Sequence, residues 1–316
     1  MKISKKQYAT SSKMKILVYG VGGIGGYLGA YLLKTNHEVF FISRGKGFKS
    51  IKDNGLRIIS ELGNINLENI NIVDKIDDAN LKFDFVVLAV KLYDLKSVLG
   101  NLQKLKYQSF QILPFQNGIF AEEEIENIYG KENTIGAVAQ ISSYIDEKNR
   151  VIHKGKLATF FVGNYFDGYY SKKLEILTKD CQSIGLDLRF SSNIKEKLWD
   201  KFIFLSAYSG MTTLSSLSIG EIFSNKDLKK MFIQAMHETF KLSEILGVKF
   251  RYNPVDLWIE KIKKMPFDMT SSMFLDFKNK KKLELDWLSG NIVVMSKKLK
   301  IESPVHKRIT EKIKDS

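Results

Sequence analysis

Short unbroken apolar runs recur through the first half of the chain. Ile16–Tyr19 is the first; Phe85–Val90, after Asp84, and Gln111–Phe115 repeat it. Runs this short, without polar alternation, predict strands buried on both faces. Glu38–Ile42 predicts a further strand, and so do Gly55–Ser60, Ile65–Ile72 and Thr134–Ser142. Tyr27–Lys34, Asp94–Leu105 and Glu122–Tyr129 carry helical character between them. The stretch after Ile42 is polar and predicts no element. Arg150–Gly155 and Ala158–Gly163 predict a hairpin closing the sheet, followed by a helix over Ser171–Ile184 and a last strand at Leu186–Phe190. Strands alternating with helices imply right-handed crossovers and a mostly parallel sheet. From Ser192 onward the periods are helical only: Asn193 with Glu196 as a capping pair, Gly210 as a stop, then Phe223–Leu246, Val255–Lys264 and Leu283–Lys298.

The turn after the first strand sharpens the picture. Gly20-Val21-Gly22-Gly23-Ile24-Gly25 has the G-x-G-x-x-G spacing between a strand and a helix. The first glycine permits the tight turn, the second lets backbone approach a pyrophosphate, and the third lets helix pack on strand. The expected fold class is therefore α/β: an N-terminal Rossmann-type parallel-sheet domain at 14–191, then an all-helical C-terminal domain at 192–316, with residues 1–13 as a disordered extension. Sites usually binding NAD place an acid at the end of the second strand. Here Ser43-Arg44-Gly45-Lys46 has none. A fork-shaped Arg44 with Lys46 suits a 2′-phosphate, so the expected cofactor is NADP(H). Lys91 and Asn117 stand at the ends of later strands, where ligands bind in such sheets.

Composition narrows the classes. The net charge is +14, but the lysines are spread along the whole 316 residues. No zinc spacing, RNA-binding signature or basic helix with aromatics accompanies them, so no nucleic-acid partner is expected and the charge reads as a pull on anionic small molecules. A single cysteine, Cys181, excludes internal disulfides and thiolate clusters, consistent with a reducing cytoplasm. No metal site and no membrane span are expected. A homodimer through the helical half is compatible with the pattern.

Two places in the second half carry chemistry. Lys201 lies in an otherwise apolar helical stretch beside Trp199 and Phe202, with Leu205 and Ser209 above it on one stripe. A buried lysine loses solvation and releases a proton more readily; from the spacing alone a lysine snorkelling from an amphipathic helix is the favoured reading. Glu284 and Asp286 alternate with apolar residues at a helix start. Either one serves the helix dipole or points into the cleft to hold Lys201.

These pieces, in order, resemble the ketopantoate reductase (2-dehydropantoate 2-reductase) family: the glycine turn, Arg44, Val90-Lys91, Gln116-Asn117-Gly118, Leu198-Trp199-Asp200-Lys201, Ser271-Ser272-Met273 and Glu284 through Gly290. The resemblance runs from Met14 almost to the C-terminus. It implies NADPH-dependent reduction of a 2-keto acid, in the pathway to pantothenate and coenzyme A, in a cleft between the two halves. It makes Lys201 the proton donor and puts Glu284 beside it. It assigns cofactor contacts to Gly20, Val21, Gly22, Gly23, Ile24, Gly25, Arg44, Lys91, Asn117, Ser142 and Glu284. Substrate contacts fall on Asn117, Lys201, Leu205, Ser209 and Ser272. Leu205, Ser209 and Ile219 stand where the family usually has asparagine, which redirects expectation toward a more apolar keto acid.

Overall fold

The computed structural model describes residues 13–76, 81–105 and 109–316. Apart from Lys13, the extension assigned to residues 1–13 lies outside them. The first half contains β1 (Lys15–Tyr19), α1 (Gly23–Leu32), β2 (Glu38–Ile42), α2 (Gly45–Asn54), β3 (Leu56–Ser60), β4 (Ile65–Leu67), β5 (Asn71–Val73), β6 (Phe85–Leu88), α3 (Leu92–Leu102), β7 (Gln111–Pro114) and α4 (Phe120–Tyr129). Then come β8 (Ile135–Ile145), β9 (Val151–Asn164), α5 (Lys172–Ser183) and β10 (Asp187–Phe190). The remainder is helical: α6 (Ile194–Ser215), α7 (Ile219–Ser224), α8 (Lys226–Ile245), α9 (Pro254–Ile262), α10 (Ser272–Lys278), α11 (Ser289–Lys298) and α12 (Pro304–Lys314).

The apolar runs form an all-parallel sheet in the order β5-β2-β1-β6-β7. Its strands bury both faces. Ile16 and Val18 of β1 enter a core with α1 and α5, while Leu17 and Tyr19 enter another under α3 and α4. A third core lies wholly around α6, which packs on α7, α8, α9, α10 and α12 and touches β8. The parallel-sheet and all-helical halves stand as the patterning implied.

Several local expectations are corrected. One sheet was expected; there are two. The second is mixed, ordered β10-β9-β3-β4 with β8 antiparallel to β9. The hairpin arms are β8 and β9, so Arg150–Gly155 and Ala158–Gly163 belong to one strand rather than two. Partners jump from Ile141↔Ala158 to Ser142↔Lys154, and Gly155 (φ +76°) takes up the irregularity. A glycine inside a strand had read as a turn. Ile65–Ile72 breaks at Asn69 (φ +55°), sending β4 to the second sheet and β5 to the edge of the first. The polar stretch after Ile42 is α2, whose only buried residue is Ile51, so its helical period was faint. Gly210 stops nothing. α6 runs on to Ser215 and ends at left-handed Ser216. A Cβ at Gly210 would come within 2.9 Å of Ile309 and 3.0 Å of Ser289, so the glycine serves close helix packing. Phe223–Leu246 divides at Asn225, whose side chain caps α8 by accepting from Asp227 and Leu228. Leu283–Lys298 is a 3-10 turn at Leu285–Trp287 followed by α11.

Candidate active site

The glycine turn joins β1 to α1 at the carboxyl edge of the parallel sheet. Gly20 has φ +99°, and a Cβ there would press on Val90 and the Ala89 carbonyl carbon. A Cβ at Gly25 would overlap the Gly20 carbonyl oxygen and lie 2.8 Å from Ala89 Cβ. A Cβ at Gly22 would meet nothing within 4 Å. Gly20 and Gly25 thus serve the protein's own packing, and Gly22 faces open space. The α1 N-terminus has no side-chain cap and no first-turn acid; α2, α11 and α12 are uncapped in the same way. Free N–H groups and an open backbone are what a pyrophosphate needs, so these residues fit a dinucleotide. Val21 and Ile24 lie within the turn. Ser143 packs its carbonyl against Gly23, 2.6 Å from a Cβ placed there. Ser142 is exposed and, by strand alternation, faces the other side of β8.

Arg44 stands at the N-terminus of α2, about half exposed, and Lys46 is exposed beside it. Lys91 precedes α3 and reaches into the helical half. Its Nζ donates to Asp276 Oδ2 at 2.9 Å and to Glu284 Oε2 at 3.4 Å. Desolvation pulls the Lys91 ammonium down, but the charge of Glu284 and the Asp276 hydrogen bond outweigh it, and its pKa is raised. The backbone N–H of Leu92 donates to Glu284 Oε1 at 3.0 Å. A buried carboxylate from the helical half therefore caps α3 across the cleft. The two open readings of the acids separate here. Glu284 points into the cleft, yet its direct partners are Lys91 and Leu92. Asp286 is exposed and pairs with Lys314 at 2.6 Å.

Lys201 lies one-third along α6, and its Nζ donates to Asn117 Oδ1 at 2.8 Å. Asn117 follows the carboxyl end of β7, so an ammonium from the helical half meets an amide from the sheet. Burial pulls the Lys201 pKa down to about 8 against the opposing pull of Glu284 and Glu122. Leu205 is half-buried against the helical core, and Ser209 and Ile219 are fully buried in it. Ser272 is exposed at the first turn of α10; the preceding Ser271 caps that helix and joins Thr212 of α6 at 2.7 Å.

Two buried groups, Gln116 and Glu122, and the partly buried Asp276 were not expected in the site. Gln116 is 8% exposed, and neither polar atom of its amide has a partner among the described residues. Asp276 joins the Lys91 cluster. Glu122, 1% exposed in the first turn of α4, has an Oε1 without a partner among the described residues. Burial pushes its pKa up to about 8, despite hydrogen bonds to the carboxyl from backbone N–H groups, Ala137 among them. Nothing in an acidic helix start distinguishes a buried glutamate from its partly exposed neighbours Glu123 and Glu124. The folded chain holds this proton between the ordinary glutamate value of 4.5 and about 8, where the unfolded chain releases it. That stability is full below the lower value and drains as pH rises to the upper one. Glu122→Gln should remove a pH slope of up to about 1.4 kcal/mol per unit. Urea unfolding of both proteins across that window tests it; parallel slopes would dismiss the buried proton.

No helix among the described residues is long and apolar enough to cross a membrane. Family models described as ketopantoate reductase PanE/ApbA match residues 16–165, and the C-terminal model of the same family matches 193–316. The uncharacterized oxidoreductase YkpB of Bacillus subtilis is 28% identical over 92% of this chain and 95% of its own. The 2-dehydropantoate 2-reductase of Pyrococcus horikoshii is 27% identical over 93% and 94%. D-mandelate dehydrogenase, solved with NADH and anilino(oxo)acetate, superposes at a TM-score of 0.84 with 23% identity, over 96% of this chain and 97% of that one.

Proposed function

This chain belongs to the ketopantoate reductase family of oxidoreductases, and on that premise we propose that it reduces a 2-keto acid with NADPH, 2-dehydropantoate to pantoate first, with Lys201 as general acid. The observation that carries the reading is the 2.8 Å hydrogen bond from Lys201 to Asn117. It joins the helical half to the carboxyl edge of the same sheet that carries the glycine turn, two strands away. On this reading residues 14–191 hold the cofactor and 192–316 bring the acid.

The Gly20–Gly25 turn and the α1 N-terminus would hold the pyrophosphate, Arg44 and Lys46 the 2′-phosphate, and Lys91, Asn117 and Glu284 the nicotinamide side. Bound cofactor supplies a hydride for the keto carbon. Lys201 stabilises the charge that develops on the carbonyl oxygen and donates the proton that completes the alcohol. Asn117 aims the ammonium. Glu284, acting on it through space, favours its charged form. Ser272, exposed at the start of α10, would meet the polar end of the substrate; the contact expected of Ser209 is not supported, because its side chain is buried in the helical core.

A second reading is favoured by Leu205 and Ile219, aliphatic groups at positions where the family usually has amides. It keeps the hydride chemistry and moves the substrate to a more apolar 2-keto acid. The anilino(oxo)acetate bound by D-mandelate dehydrogenase is an amide analogue of such an acid, with an aromatic substituent. NADPH oxidation should be followed with 2-dehydropantoate, branched aliphatic 2-keto acids and phenylglyoxylate. Turnover of none would sink the reductase reading. An advantage of about a hundredfold or more for an apolar acid would select the second reading over the first.

A further inference from the structure

The acid missing from the end of β2 arrives from another element. Asp94 lies in the first turn of α3, and its Oδ2 stands 3.9 Å from an Arg44 guanidinium nitrogen. The two side chains are 44% and 51% exposed. The pair is long and solvated, so it holds little energy, and either partner can turn to a ligand.

The position gives the pair its meaning. In a sheet of this kind the adenosine ribose reaches the carboxyl end of β2, where an acid accepts from a 2′-hydroxyl and an arginine donates to a 2′-phosphate. Here both chemistries occupy one spot. A carboxylate within 4 Å of the guanidinium opposes a phosphate that Arg44 attracts, and it leaves a ribose hydroxyl with an acceptor. Lys46 adds a second exposed cation on the Arg44 side.

We propose that Asp94 is a specificity-determining residue for the dinucleotide: with Arg44 it forms a divided ribose site that admits NADH and holds the preference for NADPH below what Arg44 and Lys46 alone would give. The inference rests on the reading of Arg44 as the 2′-phosphate partner. As a plain first-turn acid, Asp94 would serve only the α3 dipole and would be indifferent to the cofactor's phosphate.

The test is equilibrium binding, read by quenching of protein fluorescence as NADPH or NADH is added to the full chain, to Asp94→Asn and to Arg44→Ala. Both side chains are half exposed, so neither change disturbs a core. Asp94→Asn should tighten NADPH about tenfold and weaken NADH, raising the preference for the phosphorylated cofactor. Arg44→Ala should weaken NADPH at least about tenfold while changing NADH less. If Arg44→Ala erodes the preference but Asp94→Asn leaves it unmoved, the divided site is overturned and Arg44 keeps its role. If Arg44→Ala leaves the preference unmoved, the 2′-phosphate reading falls, and the inference falls with it.

Discussion

Lys201→Ala is expected to lower turnover of the keto acid by about 10²–10⁴, with NADPH binding nearly unchanged. The lysine is the group whose position joins the two halves, through Asn117, at the mouth of the parallel sheet. On the proposed reading, its loss takes from the forming alkoxide the charge and the proton that Lys201 supplies. The same lysine sets the pH dependence. Its folded pKa is depressed to about 8 by burial, so the ammonium is complete below that value and is lost as pH rises through it. The kcat/KM for keto-acid reduction should therefore be flat on the acid side of 8 and fall about tenfold per unit above it. Single-turnover reduction at several pH values, for both proteins, measures these effects. A loss of only a few-fold on Lys201→Ala, with no break in the profile, would return the residue to a snorkelling side chain.

The second large effect separates two glycines three residues apart. Gly22→Ala should leave folding intact, because a Cβ there meets nothing within 4 Å and φ is −87°. It should nevertheless weaken NADPH by about a hundredfold, roughly 3 kcal/mol, since the methyl takes the space the pyrophosphate needs. Gly25→Ala puts its methyl into the Gly20 carbonyl and against Ala89. Overpacking of that kind costs about 1–3 kcal/mol or more, so this variant should lose thermal stability before any ligand is added. Calorimetric melting with and without NADPH tells the two apart. A Gly22→Ala protein that binds NADPH normally would remove the glycine turn from the cofactor site.

What the sequence could express was local. β1, β6 and β7 are buried on both faces, so their apolar runs are continuous and legible. The glycine turn is legible because backbone geometry and close packing restrict the residue type at fixed spacing. The capping pair Asn193 and Glu196 is also local, and Asn193 does accept from the Glu196 N–H. The elements misread had weak or ambiguous signals. α2 buries one residue, and the glycines at 155 and 210 look like punctuation in sequence although one absorbs a strand irregularity and the other a helix crossing.

The chain by itself determined the kinds of group available and the order of the elements: an α/β half, a helical half, a glycine turn between strand and helix, and a lysine set in an apolar stretch. Only the tertiary structure decided who meets whom. It paired Lys201 with Asn117, gave Glu284 to Lys91 and the α3 N-terminus, set Asp94 beside Arg44, and buried Glu122 while leaving Glu123 and Glu124 partly exposed. The reason is range. Propensity and periodicity act over a few residues, whereas charge pairing and desolvation depend on distance in space, and the cleft brings together residues far apart along the chain.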